Sequence, residues 1–149
     1  MPKRSNSNIF FQTVSNHKFS DLTDTGTAVL SILEKLLQDD ELTFETELTF
    51  EKLFEYVPAA FPQDDFIHAV FFLTRRQPNY NVLRQRFKAL NPETEIMQEI
   101  DVQLVLPYLQ SNKFENPISK LPVTREQFAS QVITFFSPTK DFLESKKTP

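Results

Sequence analysis

Regularly spaced apolar residues predict two helices in the first third of the chain. Between residues 27 and 38 they recur at the spacing of one helix face, and the polar cluster 24–27 supplies an N-cap. A second stripe over 50–57 follows the N-cap candidate Thr49, and Pro58 ends it because a residue before proline disfavours helical geometry. The alternating segment 42–48 between them predicts a short strand or an extended linker.

A third helix is predicted over residues 62–76. Pro62 occupies a first-turn position, and Asp64 and Asp65 complement the positive end of the helix dipole. Its apolar residues cover most of the circumference: Phe66, Ile67, Val70, Phe71, Phe72 and Leu73. This distribution predicts a central, buried helix.

From residue 83 the period of the pattern changes from that of a helix to that of a strand. Arg84, Arg86 and Lys88 alternate with uncharged residues, which predicts a strand with one basic face. Residues 91–94 are typical of a turn, and 95–100 then form the returning strand. The apolar positions over 82–90 also fit a helix, so the hairpin competes with a helical alternative.

The last third of the sequence is predicted to be helical, and the first 23 residues to be a flexible tail. Helices are expected near 101–110 and after Thr124, the second with four apolar residues inside: Phe128, Val132, Phe135 and Phe136. Thr124 and Gln127 have the spacing of a capping box. In the tail, residues 9–11 could attach it by packing or by adding an edge strand.

The order helix, short strand, helix, helix, hairpin resembles that of a winged-helix domain. The resemblance covers residues 24–100, with the hairpin 83–100 as the wing. The predicted fold class is therefore mainly α with a small β-hairpin: a winged helix-turn-helix-like core at 24–100, a tail at 1–23 and a helical extension packed on the core at 101–149. Such a resemblance does not by itself establish a function.

Composition argues against most kinds of catalytic site. The chain has no cysteine, which excludes disulfides, thiolate metal sites and a cysteine nucleophile. Its one glycine, Gly26, cannot build a phosphate-binding loop. His17 and His68 lie in contexts typical of ordinary surface or helix histidines, and the carboxylates over 39–55 are typical of a solvated acidic face that steers a basic partner. We therefore predict no enzymatic activity, cofactor or metal.

Hydropathy predicts a cytoplasmic protein without membrane segments. The polar start lacks an apolar signal region, and the densest apolar run, 66–73, is too short to cross a bilayer. The sequence leaves the oligomeric state open.

The predicted function is docking onto a larger protein partner in a multi-subunit assembly. The 16 phenylalanines suggest an exposed aromatic patch, and five of them are candidate partner-binding anchors: Phe10, Phe11, Phe135, Phe136 and Phe142. The alternative is a nucleic-acid-binding winged helix whose basic wing contacts phosphates. Candidate contacts to nucleic acid or to an acidic partner are Arg75, Arg76, Arg84, Arg86 and Lys88. The net charge of −4 and the acidic start of the third helix make nucleic acid the less favoured partner.

Overall fold

Helices and a small sheet make up the computed structural model, which describes residues 8–16, 24–77 and 79–147. The elements in chain order are α1 (Ile9–Asn16), α2 (Asp24–Gln38), α3 (Phe50–Phe54), α4 (Gln63–Phe72), β1 (Leu83–Asn91), β2 (Ile96–Ile100), a 3-10 turn (Val102–Leu104), α5 (Leu106–Gln110), α6 (Arg125–Gln131), β3 (Val132–Pro138) and α7 (Lys140–Lys147). Met1–Arg84 and Phe136–Pro149 together form one compact unit, and Gln85–Phe135 form another. This division differs from the boundary near residue 100 expected from the sequence.

The predicted hairpin is present, and it belongs to a three-stranded antiparallel sheet in the order β2–β1–β3. Strands β1 and β2 pair with Phe87 opposite Ile100 and Asn91 opposite Ile96. The turn closes with the Glu95 amide donating to the Asn91 carbonyl at 2.8 Å. The mainly helical prediction is thus confirmed in its coarse form, and the helical alternative over 82–90 is wrong.

The C-terminal prediction needs correction, because helix α6 ends at Gln131 and the next seven residues form β3. The expected capping box between Thr124 and Gln127 is confirmed. Val132, Ile133 and Thr134 are consecutive β-branched residues, which lose side-chain freedom in a helix and pack well in a sheet. Phe135 and Phe136 therefore lie in a strand, and the extension over 101–149 is not purely helical.

Residues from both ends of the described chain build the core of the first unit. Phe10 of α1 packs edge to face on Phe142 of α7, with ring centroids 5.7 Å apart, and both are buried. Asn8 fixes the start of α1, since its side-chain oxygen accepts from the Phe10 amide at 2.8 Å. The prediction of a flexible tail is therefore wrong for residues 9–16. Its other residues, 1–7 and 17–23, include His17 and lie outside the described part of the chain.

Helix α4 ends four residues earlier than predicted, and the chain then turns back. The amides of Val82 and Leu83 both donate to the Leu73 carbonyl at 2.9 Å. Asn79 has a positive φ of 68°, a conformation that asparagine tolerates better than most residues. The early end leaves Arg75 and Arg76 beyond the helix, in the turn.

The second unit has its own small core around Phe87, Val105 and Phe128. Beside it, the side chain of Asn116 is 1% exposed and fully engaged. Its Nδ2 donates to the Leu90 carbonyl at 2.9 Å and to Gln131 Oε1 at 3.0 Å, while its Oδ1 accepts from two backbone amides. Asn116 thereby ties the loop after α5 to β1 and to the end of α6.

Candidate docking surface on helix α4

Helix α4 buries one face and exposes apolar side chains on the other. Phe66, Ala69 and Val70 are buried in the core of the first unit. Ile67 and Phe71, four residues apart on the opposite side, remain 39% and 40% exposed. The prediction of a central, buried helix is therefore met on one face of α4 and wrong for the face that carries Ile67 and Phe71.

Phe71 is held in place although it is exposed. Its ring lies edge to face against Phe50, at 6.1 Å, and against Phe136, at 5.9 Å. These two rings also contact each other at 5.1 Å. A side chain that is already fixed by its neighbours loses little conformational freedom when a partner covers it. Phe71 thus has the properties expected of a preorganised anchor.

Two exposed arginines follow the last turn of α4. The Arg75 guanidinium stacks over the Phe72 ring at 4.2 Å, and Arg76 extends into solvent. Neither arginine forms an ion pair within the described residues. We refer to Ile67 and Phe71, together with Arg75 and Arg76 at their carboxyl-terminal end, as the α4 ridge.

The third arginine of the predicted basic group, Arg84, is engaged within the first unit. Its Nη2 donates to the Phe44 carbonyl at 2.7 Å and lies 3.6 Å from Glu45 Oε2. The guanidinium also stacks over the Phe44 ring at 3.8 Å. Part of the charge of Arg84 is therefore balanced inside the protein.

The remaining two basic residues lie on β1 in the second unit and are also engaged. Two nitrogens of Arg86 donate hydrogen bonds to the carboxylate of Glu99 on β2, and the distance from Nε to Oε2 is 2.7 Å. The Arg86 side chain is only 10% exposed. Arg86 and Lys88 both lie over the ring of Phe135, at 4.8 Å and 5.1 Å. The alternation along β1 predicted a basic face. In the structure, Arg86 instead joins the two strands of the hairpin through Glu99 and packs over the Phe135 ring.

The phenylalanines predicted to be partner anchors are core residues. Phe10, Phe135, Phe136 and Phe142 are at most 4% exposed, and Phe11 packs partly buried against the same core. Buried rings are not available to a partner while the fold is intact. This prediction is corrected: these rings are buried, whereas Ile67 and Phe71 of α4 are among the large apolar side chains that the structure leaves exposed. The apolar pattern of α4 did not separate these two positions from its buried ones.

The candidate catalytic groups do not converge. A cleft of about 710 Å³ in the first unit includes Asp39, Asp40 and Glu144, but not His68, which is exposed on α4. The same cleft contains three lysines, one of which, Lys146, caps α2 by donating to the Leu36 carbonyl at 2.7 Å. Across residues 8–16, 24–77 and 79–147, no three histidine or acidic side chains lie close enough to hold a metal ion.

Comparison with known proteins gives no relative from which a function could be transferred. No family model, no curated protein and no solved structure matches this chain. Within its described part, no helix combines the length and the apolar character needed to cross a bilayer.

Proposed function

We propose that this chain is a non-catalytic docking protein that binds a larger protein through the α4 ridge, as an accessory subunit of a cytoplasmic assembly. The observation that carries the proposal is the exposure of Ile67 and Phe71 on a helix that is followed by two arginines, neither of which has a carboxylate partner among the described residues. Binding hot spots are typically apolar or aromatic anchors surrounded by polar groups, and arginine is enriched among them.

Binding to nucleic acid has weaker support. Arg84 and Arg86 are bound to carboxylates at Glu45 and Glu99, so a phosphate would have to replace partners that are already in place. The apolar pair in the ridge also suits a protein surface better than a phosphate backbone, which is bound mainly by charge.

We further propose a winged-helix-like core, and the order of the elements alone supports it. Helices at 24–38, 50–54 and 63–72 precede a hairpin at 83–100, as that arrangement requires. Leu48, in the segment expected to be a short strand, makes an isolated bridge to Phe136 of β3. A winged-helix-like core is compatible with docking and does not require DNA binding.

The docking function is tested by replacing Ile67 and Phe71 together with serine and using the protein as bait in an extract of the cells that produce it. The unchanged protein should retain a stoichiometric partner that the double variant loses. Once that partner is purified, the double variant should bind it at least about 30-fold more weakly, as expected for hot-spot anchors.

The matched control is the double variant Ile96→Ser with Leu121→Ser, because these side chains are 61% and 62% exposed and lie in the other unit. It removes more exposed apolar surface than the α4 variant does, and it should still retain the partner. Equal capture by the α4 variant and the unchanged protein would show that the α4 ridge is not the docking surface.

A further inference from the structure

Charges of opposite sign lie at the two ends of helix α4. Asp64 and Asp65 lie in the first turn of α4, while Arg75 and Arg76 follow its last turn. Asp65 is already engaged, since it accepts a hydrogen bond from the Thr25 hydroxyl at 2.9 Å. The arginines have no such partner among the described residues. The carboxyl-terminal end of the ridge therefore presents exposed positive charge that a negatively charged group of a partner can balance.

The geometry of α4 favours a helical partner segment. The α4 backbone groups are used within the helix, so an extended segment lying along it would find no ladder of hydrogen bonds. A helix satisfies its own backbone and presents apolar side chains three and four residues apart. Such a row matches the spacing from Ile67 to Phe71, which is about 6 Å along the axis.

We infer that the segment recognised by the α4 ridge is an amphipathic helix with carboxylates in its first turn, lying antiparallel to α4. This inference rests on the proposed docking function and specifies its partner. The apolar face of the helix covers Ile67 and Phe71, and its carboxylates meet Arg75 and Arg76. Acidic residues in the first turn are also favoured by the dipole of the partner helix itself, and this fixes the antiparallel direction.

The inference is tested with two synthetic peptides of about 16 residues, each held helical by a side-chain lactam because short helices are marginal in water. Both have the same leucine stripe and the same composition. One has glutamates in its first turn and lysines in its last, and the other has the reverse order. Binding to the intact protein is measured by fluorescence anisotropy at two salt concentrations.

The glutamate-first peptide should bind about 5- to 10-fold more tightly than the reversed peptide, as expected for two exposed ion pairs, and higher salt should reduce the difference. The variant Arg75→Glu with Arg76→Glu should reverse the preference. Binding of both peptides should fall in Ile67→Ser, with Phe71→Ser as a second test of the apolar contact. Circular dichroism verifies that each variant is folded.

Equal binding of the two peptides, or an unchanged preference in the arginine variant, would overturn the inference. Stronger binding of a DNA duplex, lost in the same arginine variant, would also overturn it and identify the ridge as a nucleic-acid contact. If neither peptide binds although capture from extract still depends on Ile67 and Phe71, the docking function stands and only the helical acidic partner is refuted.

Discussion

Replacement of Phe142 by alanine tests whether the predicted aromatic anchors belong to the core. Phe142 is fully buried, so the variant loses the whole transfer free energy of the ring and leaves a cavity. Substitutions of this kind cost about 3–5 kcal/mol, a large share of a typical unfolding free energy of about 5–15 kcal/mol. By contrast, Phe44→Ala should cost about 1 kcal/mol, because that side chain is 46% exposed.

The assay is urea unfolding monitored by circular dichroism. Phe10→Ala, Phe142→Ala and the variant with both substitutions together form a double-mutant cycle. The edge-to-face contact between Phe10 and Phe142 should give a coupling free energy of about 0.5–1.5 kcal/mol. The cycle isolates the contact between α1 and α7 from the general loss of buried surface.

If Phe142→Ala lowers the unfolding free energy by less than about 1 kcal/mol, Phe142 is not a core residue, because removal of a fully buried ring should destabilise the protein more than this. Strict additivity of the two substitutions would refute the packing of α1 on α7. The first result would return Phe142 to the group of candidate partner anchors.

Two further predictions concern the second unit. Arg86→Ala should lower the unfolding free energy, measured by urea denaturation, by about 1–3 kcal/mol, because it leaves Glu99 without its bidentate partner and uncovers Phe135. Arg76→Ala is the control. If Arg86→Ala lowers the unfolding free energy no more than this control does, the Arg86–Glu99 pair contributes nothing to stability. Burial and the hydrogen bond donated to Glu115 raise the pKa of Tyr108, so the unfolded chain ionises first and stability should fall as pH rises above about 10. Tyr108→Phe should reduce that slope in unfolding experiments between about pH 9 and pH 11, and an unchanged slope would contradict the assignment.

The hairpin could be predicted from the sequence because its pattern contains both required signals. Apolar and polar residues alternate along β1, and Asn91 and Pro92 begin a turn at the point where the alternation ends. Strand β3 was missed because Phe128, Val132 and Phe135 also fit the spacing of a helix. The run of β-branched residues after Gln131 was the signal that could have corrected the prediction.

The candidate site was only partly predictable. Arg75 and Arg76 were identified as basic, but nothing local distinguishes them from Arg86. Pairing between Arg86 and Glu99 depends on the register of β1 and β2. This register places Lys88 opposite Glu99, and Arg86 lies two residues from Lys88 on the same face. Register is a property of the folded sheet and cannot be read from composition.

Burial of phenylalanine was equally difficult to predict, since the same residue type serves the core and the surface. Phe71 and Phe72 are neighbours in sequence, yet the first is 40% exposed and the second 6%. A helix that is apolar on most sides gives no indication of which side its neighbours will cover. Only the packing of α2 and α3 against α4 decides it.

The division of the chain has a consequence for synthesis on the ribosome. Residues 85–135 are continuous in sequence and can begin to fold as soon as they emerge, whereas the first unit needs Phe136 and Phe142 before its hydrophobic core is complete. Until translation reaches α7, Phe10 lacks the ring it packs against. Helices α1 and α2 would then expose apolar surface until residues 136–142 are made, and this is the stage at which chaperone binding or aggregation of nascent chains should be greatest.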